Sequence, residues 1–156
     1  MKWLLGKRDF AVDPHQLAKT ELFCDLNPRE LRVIDAFVQE RSFLAGEVIF
    51  DAGEDSQALY VIAHGNVAIC QPGRHAEPLA KLAAGSFFGE MGLLDGSPRS
   101  AQARAIDATT LIVLSRTDFA RLMDSHARIA SCIALQLARH LGRRLRGMLI
   151  SPTDKA

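Results

Sequence analysis

The sequence predicts a mainly β domain, of the sandwich, roll or barrel type, with helices before and after it. Between Arg41 and Ser115, short apolar runs alternate with glycines, which is typical of many short strands. Apolar residues at helical spacing occur on either side of this region. The 156 residues, 48% hydrophobic and 24% charged, suit a single domain spanning 1–156.

Two helices are predicted ahead of the β region, over about residues 14–39. The first runs from Pro14 to about Phe23, with Asp13 as its N-cap. Asn27-Pro28-Arg29-Glu30 is a stronger start signal, because it joins a capping residue, a first-turn proline and a glutamate three residues after the cap. The second helix is therefore predicted from Pro28 to about Gln39, with an apolar stripe for the core.

The β region, about residues 41–115, contains six predicted strands. They cover residues 47–50, 58–63, 67–70, 79–82, 101–106 and 110–114. We expect His64-Gly65-Asn66 to turn the chain into a hairpin, and Asp107-Ala108-Thr109 to turn it into a second strand pair. Residues 71–78, rich in proline, glycine and charge, are predicted to form an exposed loop.

Helical spacing returns over about residues 116–149. Ser115 or Thr117 suits the cap of a short helix, and a longer one is predicted from about Ala127 to Leu149. Two seams follow the longer helix: Ala130, Ala134, Leu137, Leu141, Arg144 and Met148, and Leu135, Ala138, Gly142, Leu145 and Leu149. One seam would cover the β region and the other a second chain; the alternative is a single wide stripe buried in a monomer.

Composition argues against several functions. No segment approaches the roughly 18 continuous apolar residues of a membrane helix, and the apolar run near the first residue is too short for a signal peptide. We therefore expect a cytoplasmic protein without membrane contact. The cysteines and histidines show no ligand spacing, which leaves metal binding and nucleophilic catalysis without support. Residues 116–156 contain eight Lys or Arg against three Asp or Glu, and a solvated helix end explains this excess more simply than nucleic acid.

The segment from Phe87 to Ala101 combines residues suited to an anion. Gly89 offers flexible backbone, a helical turn is predicted from Glu90 to Leu94, and Arg99 and Ser100 end the segment. Amides at a helix start, a guanidinium and a hydroxyl all donate to phosphate, while Glu90 suits the hydroxyls of a ribose. These residues alone leave open a surface turn with an ordinary arginine.

The register of this segment resembles the phosphate-binding cassette of the cyclic nucleotide-binding domain family. The matching residues are Gly89-Glu90, Leu93-Leu94 and Arg99-Ser100-Ala101, and the similarity extends over about 120 residues, from Leu22 to Leu145. It implies an eight-stranded β-roll (a jelly roll, or double-stranded β-helix) flanked by N-terminal helices and a long C-terminal helix.

The resemblance also implies roles for single residues. Arg99 would bind an equatorial phosphate oxygen, Ser100 would add a hydroxyl, and amides near Met91 would add further donors. Glu90 would accept from the ribose 2′-hydroxyl, and Gly89 would let the backbone approach the ribose. Further candidates are Ala101 in the cassette and His140 and Arg144 on the last helix. Strand alternation, and not the resemblance, adds Val61 (with Val48) as a wall for the base.

Arg144 falls where family members place a residue that contacts the base. A guanidinium there would stack on a purine, whereas a surface arginine on a dimer helix is an equally open interpretation. Ser100 favours cyclic AMP over cyclic GMP, because members that prefer guanine often have threonine at that position. No other cofactor is expected.

The implied protein is a regulatory sensor and not an enzyme. Phosphate capture would pull the cassette inward, and the C-terminal helix would close over the base and signal. No helix-turn-helix segment follows, so we expect no DNA binding, and we expect a homodimer through the last helix with an effector that the sequence does not identify. The alternatives are a nucleotide-free roll serving as an interaction or dimerisation module, and a regulatory domain excised from a larger effector. A metal enzyme of the cupin roll is disfavoured, because the strands supply no His/carboxylate set.

Overall fold

The computed structural model describes residues 13–74 and 76–150. The helices are α1 (Pro14–Ala18), α2 (Pro28–Asp35), α3 (Glu90–Asp95), α4 (Arg116–Ser125) and α5 (Ala127–Ile150). The strands are β1 (Val38–Phe43), β2 (Val48–Phe50), β3 (Ala58–His64), β4 (Asn66–Cys70), β5 (Ala80–Ala83), β6 (Phe87–Phe88), β7 (Gln102–Ala105) and β8 (Thr109–Ser115).

The eight strands form two antiparallel sheets of four, in the orders β1-β8-β3-β6 and β2-β7-β4-β5. Apolar side chains from both sheets meet in one core cluster, which includes Phe50, Tyr60, Val67 and Ala103. The predicted mainly β roll, with helices at its ends and a long C-terminal helix, is confirmed.

The central strands of the first sheet, β3 and β8, are buried on both faces, which explains their continuous apolar runs. Side chains alternate along a strand, so Leu59 and Val61 of β3 pack against the helices while Tyr60 and Ile62 face the second sheet. All of Ala58–Ala63 is buried as a result. The same alternation in β8 sends Ile112 to the helix side.

Both strand pairs predicted from turns are wrong. β3 pairs with β6 and β8, and β4 pairs with β5 and β7, so the Gly65 turn leads from one sheet to the other. The turn between β7 and β8 also crosses between the sheets. Alternation in a short strand shows that it is a strand but does not identify its partner.

The turn at Gly65 and the turn between β7 and β8 lie against each other, which accounts for the passage of the chain between the sheets at both turns. The amide and side-chain nitrogens of Asn66 donate to the carboxylate of Asp107 at 2.8 and 2.7 Å. Gly65 has a φ of +90°, and a Cβ there would lie 2.5 Å from the carbonyl oxygen of Ala108. Only glycine combines this backbone conformation with such a close approach.

The helix starts follow the predicted caps. Asp13 accepts from the amide of His15 at 2.9 Å. Asn27 and Glu30 form the full capping box. Ser115 accepts from the amide of Asp118 at 3.0 Å, which settles the choice of cap for α4.

Two helix ends differ from the prediction. α1 ends at Ala18 and not near Phe23, because the chain turns so that the Glu21 amide donates to the carbonyl of Gly85 at 2.9 Å. α2 ends at Asp35, and Val38 pairs with Leu114 as the first residue of β1. The β region therefore starts three residues before the predicted Arg41, because strand pairing overrides helical spacing there.

The long helix α5 packs through its first half. Its buried residues are Ile129, Ala130, Ile133, Gln136 and Leu137. Of the first predicted seam, only Ala130 and Leu137 are buried, and the second seam faces outward. The other buried residues, Ile129, Ile133 and Gln136, belong to neither predicted seam, so the predicted core-facing seam is wrong in most of its positions. In the described ranges, 13–74 and 76–150, no helix is long and apolar enough to cross a membrane.

Candidate functional site

A cavity of about 440 Å³ lies between the two sheets, α3 and the far part of α5. Its size falls within the range of small-molecule sites, roughly 300–1,000 Å³. Apolar side chains supply much of its wall, and the predicted cassette supplies most of the rest. The lining includes Phe50, Ser56, Ile69, Leu79, Leu82, Phe87, Phe88, Gly89, Glu90, Met91, Ser97, Arg99, Ser100, Ala101, His140 and Arg144.

Arg99 is the buried cation of this cavity, with only 7% of its surface exposed. Its Nη1 donates to the carbonyl of Gly89 at 2.8 Å, and its Nη2 to the carbonyl of Ala58 at 2.6 Å. Its Nε is buried without a hydrogen-bond partner. Among residues 13–74 and 76–150, no carboxylate lies within ion-pair distance of Arg99.

The environment of Arg99 leaves its charge poorly compensated. Burial lowers the pKa of its guanidinium, because the charged form loses water, while Tyr60, Glu54 and Glu90 oppose that shift. Arginine nevertheless stays protonated in proteins. A buried cation held by neutral carbonyls and lining a cavity suits an anionic ligand.

Gly89 places Arg99 by leaving room for it. The residue is the N-cap of α3 with a φ of +81°, and a Cβ there would lie 2.6 Å from Nη1 of Arg99. Sequence reasoning assigned Gly89 to a close approach of the ribose. The structure adds a requirement within the protein itself, because any side chain would collide with the guanidinium.

Glu90 is the buried acid of the cavity, with 2% exposure, at the first position of α3. Its Oε1 accepts from Nη1 of Arg144 at 2.9 Å and lies 3.5 Å from Nε2 of His140. The His140 ring also packs on Phe87, with the ring centroids 4.4 Å apart. Glu90 therefore connects the cassette to the far part of α5.

The other predicted site residues divide into two groups. Ser100, Ala101 and Met91 line the same cavity as Arg99 and Glu90. Val61, predicted as a wall for the base, does not line the cavity, because the residue is fully buried on the helix side of β3. Val48 is 38% exposed and also lies outside the cavity.

Sequence reasoning missed Phe50, Ser56, Ile69 and Leu82, all of which line the cavity. Ser56 is 3% exposed, and its hydroxyl has no hydrogen-bond partner. Alternation would place Phe50 on the same face as Val48, but the strand register shifts between these two residues and only Phe50 is buried. No pattern marked the others.

The described residues give no sign of a metal centre. Across 13–74 and 76–150, no group of three or more His, Cys, Asp or Glu side chains stands close enough to hold an ion.

Comparison with known proteins shows which family the chain is similar to. The sequence profile of the cyclic nucleotide-binding domain matches residues 40–126, more than half of the chain. The chain is 39% identical over 122 residues to the cyclic AMP receptor protein of Thermus thermophilus, covering 77% of this chain and 56% of that protein. It is 34% identical over 122 residues to a cyclic nucleotide-gated potassium channel of Mesorhizobium japonicum, covering 78% of this chain and 33% of the channel.

Solved structures agree with this family in fold. The catabolite activator protein of Thermus thermophilus matches with a TM-score of 0.73 at 38% identity, over 83% of this chain and 60% of that one. A cyclic nucleotide-binding domain of Methylobacillus flagellatus matches with a TM-score of 0.77 at 27% identity, over 91% and 82%. The chain spans between a third and just over half of the length of the first curated relatives that it matches.

Proposed function

Because the chain belongs to the cyclic nucleotide-binding domain family, we propose that it is a regulatory sensor that binds a cyclic purine nucleotide in the cavity beside Arg99. The observation behind this proposal is that a buried Arg99, which has no ion-pair partner in the described residues, and a buried Glu90 line one cavity. A cyclic nucleotide offers one anionic phosphodiester for the guanidinium and one free 2′-hydroxyl for the carboxylate. We expect no enzymatic activity and a cytoplasmic location.

Each polar residue of the cassette has a place in this proposal. Arg99 binds a phosphate oxygen through the donors that its two backbone carbonyls leave free. Ser100 adds a hydroxyl, and the Met91 and Ala101 positions border the same space. Glu90 accepts from the 2′-hydroxyl, and the apolar side chains of Ile69, Leu79 and Leu82 wall the base.

Cyclic AMP is the ligand that we propose, ahead of cyclic GMP. A serine at position 100 lacks the methyl group of the threonine expected where guanine is preferred. The Thermus thermophilus relative, 39% identical, is named a cyclic AMP receptor protein. A base pocket walled mainly by apolar side chains also offers few partners for the extra polar groups of guanine.

We further propose that α5 reports binding. Its far part contacts Glu90 through Arg144 and His140, so a ligand hydroxyl at Glu90 changes the partners of that part of the helix. Arg144 stands at the cavity, where its guanidinium can cover a purine. A state of α5 that binds the nucleotide better is favoured by mass action.

The outward seam of α5 is proposed as a homodimer surface. Leu135, Leu145 and Leu149 are 49%, 58% and 71% exposed. Together with Ala138 and Gly142 they follow the alternating three- and four-residue spacing of a helix pair. Sedimentation at micromolar concentrations is expected to show a dimer, and Leu145→Arg a monomer. A wild-type protein that sediments as a monomer with and without nucleotide would contradict the dimer.

The sensor proposal is tested by calorimetric titration with cyclic AMP and cyclic GMP. Arg99→Ala is expected to weaken binding by about 2–5 kcal/mol, because the phosphate loses its buried charge partner. Arg104→Ala is the matched control: Arg104 lies on β7, bonds Gln102 and Gly46, and does not line the cavity. Linear 5′-AMP and 2′-deoxy cyclic AMP should bind more weakly than cyclic AMP.

The outcomes separate the remaining functions. If Arg99→Ala bound the nucleotide with unchanged affinity, Arg99 would not be a ligand-binding residue. A wild-type protein that binds neither nucleotide would contradict the sensor and favour an interaction module built on the same roll. The effector that receives the signal stays open, since the first curated relatives are longer than this chain and include a receptor protein and a gated channel.

A further inference from the structure

Phe50 lies directly beneath the buried arginine of the cavity. The Cζ atom of Arg99 is 4.1 Å from the centroid of the Phe50 ring. Phe50 is 8% exposed, and its ring packs beside those of Tyr60 and Phe88, with centroids 5.8 and 5.9 Å away. The Tyr60 ring is farther from the same guanidinium carbon, at 5.6 Å. Phe50 is therefore the main aromatic contact of Arg99.

The backbone brings these two residues together. The Arg99 amide donates to the carbonyl of Glu54 at 2.8 Å, and the Gly53 amide donates to the carbonyl of Arg99 at 2.7 Å. Gly53 and Glu54 follow β2, the strand that ends at Phe50. The cassette is thus bonded to the loop after Phe50, which keeps the ring and the guanidinium in register.

A ring differs from a carboxylate as a partner for this arginine. A carboxylate would hold the guanidinium but would also neutralise it, occupy its donors and repel an anionic ligand. The face of an aromatic ring attracts a cation and carries no net charge. The contact therefore holds the guanidinium without using any of its five N–H donors.

We propose that Phe50 is a positioning residue for anion binding, holding the Arg99 guanidinium by a cation–π contact while leaving its charge for the ligand. This inference rests on the proposed function, because the ligand in question is the nucleotide phosphate. A positioning role differs from a packing role, because the effect of Phe50 on binding then depends on the presence of the Arg99 guanidinium. A ring that only fills space would affect binding equally with and without the guanidinium above it.

The test compares Phe50→Leu with Phe50→Tyr in calorimetric titrations with cyclic AMP. Leucine keeps an apolar side chain but removes the ring, so Kd is expected to rise about tenfold. Tyrosine keeps the ring face, so its Kd is expected to stay within about twofold of wild type. Phe43→Leu is the matched control, since Phe43 lies 5.6 Å from the Arg41 guanidinium on the same core but outside the cavity.

A second measurement keeps the inference testable without any ligand. The unfolding free energies of wild type, Phe50→Leu, Arg99→Ala and the double variant form a cycle, and the two changes are expected to be non-additive. Additive effects on unfolding, or equal nucleotide affinity in Phe50→Leu and wild type, would overturn the positioning role. A wild-type protein that binds neither nucleotide would contradict the proposed function instead, and the cycle would still decide whether Phe50 holds Arg99.

Discussion

The two halves of α5 are joined to the rest of the molecule in different ways. The first half buries Ile129, Ile133 and Leu137 against the helix side of the first sheet. The second half, from about Leu141 onward, has no buried residue in the described chain, and its long-range hydrogen bond there runs from Arg144 to Glu90. Apolar burial fixes one half, and a polar contact at the ligand cavity holds the other.

This difference bears on our proposal that α5 reports ligand binding. A buried apolar stripe is costly to move, because each side chain would be exposed to water. In the Arg144–Glu90 ion pair the acid is buried but the arginine is half exposed, so Arg144 can exchange Glu90 for water without exposing apolar surface. The half of α5 that touches the cavity is thus the half that is held more weakly. The predictions below test this contrast, starting with the largest expected effect.

The contrast in burial predicts unequal costs for the same substitution in the two halves. Ile133→Ala, at a fully buried position, is expected to lower the unfolding free energy by about 2–5 kcal/mol. Ile150→Ala, at a position 62% exposed, is expected to change it by about 0.5 kcal/mol or less. Urea unfolding of both variants measures the difference. Similar losses in the two would show that the second half is also buried, for instance against another chain.

Removing the contact between Arg144 and Glu90 is expected to affect nucleotide binding more than the stability of the fold. Arg144→Ala is expected to weaken cyclic AMP binding by about 0.5–2 kcal/mol, because the base loses its guanidinium cover. The unfolding free energy should change by about 1 kcal/mol or less, since the Arg144 side chain is 56% exposed. Arg143→Ala, at the exposed neighbouring position, is the control in calorimetry. Tighter binding by Arg144→Ala would show that Arg144 competes with the nucleotide for Glu90.

The start of α5 carries an ion pair whose effect is expected to be smallest and to depend on pH. Arg128 bonds Glu30, and the pKa of Glu30 is lowered, first by its hydrogen bond to the Asn27 backbone and then by Arg128. A lowered folded-state pKa gives stability that is present above the ordinary value of 4.5 and is lost as the pH falls through the folded value.

Glu30→Gln is therefore expected to reduce the loss of unfolding free energy below about pH 4.5, by a few tenths of a kcal/mol, because solvent screens the largely exposed Arg128. Urea unfolding at a series of pH values measures the slope. Glu77→Gln, at an exposed loop carboxylate, serves as the control. Equal slopes in Glu30→Gln and wild type would leave the capping box without a role in acid stability.

Local signals in the sequence predicted much of the fold. The caps at Asp13 and Asn27 and the long helix from Ala127 lie where they were predicted. These features depend on residues a few positions apart, so the sequence contains them directly. The predicted hairpin at Gly65 failed because pairing depends on strands far away in the chain: β3 pairs with β8, about 50 residues later.

The residues of the candidate site also divide into those that a local sequence signal predicted and those that depend on distant parts of the chain. Gly89, Glu90, Arg99 and Ser100 sit within one short segment, and the structure brings all of them to one cavity. Val61 lies outside the cavity and packs against the helices, because strand alternation alone does not show which neighbours a residue meets. Phe50 and Ser56 come from distant segments and had no motif of their own.

The sequence by itself determined which groups are available: a short cassette with a cation, an acid and a hydroxyl, preceded by strands and followed by a long helix. Only the tertiary structure decided how those groups are used. It placed Arg99 between two backbone carbonyls and the Phe50 ring, with no carboxylate within ion-pair distance in the described residues. It also placed Arg144 on Glu90. The physical reason is that burial and charge compensation depend on neighbours from other strands and helices, which spacing along one segment does not specify.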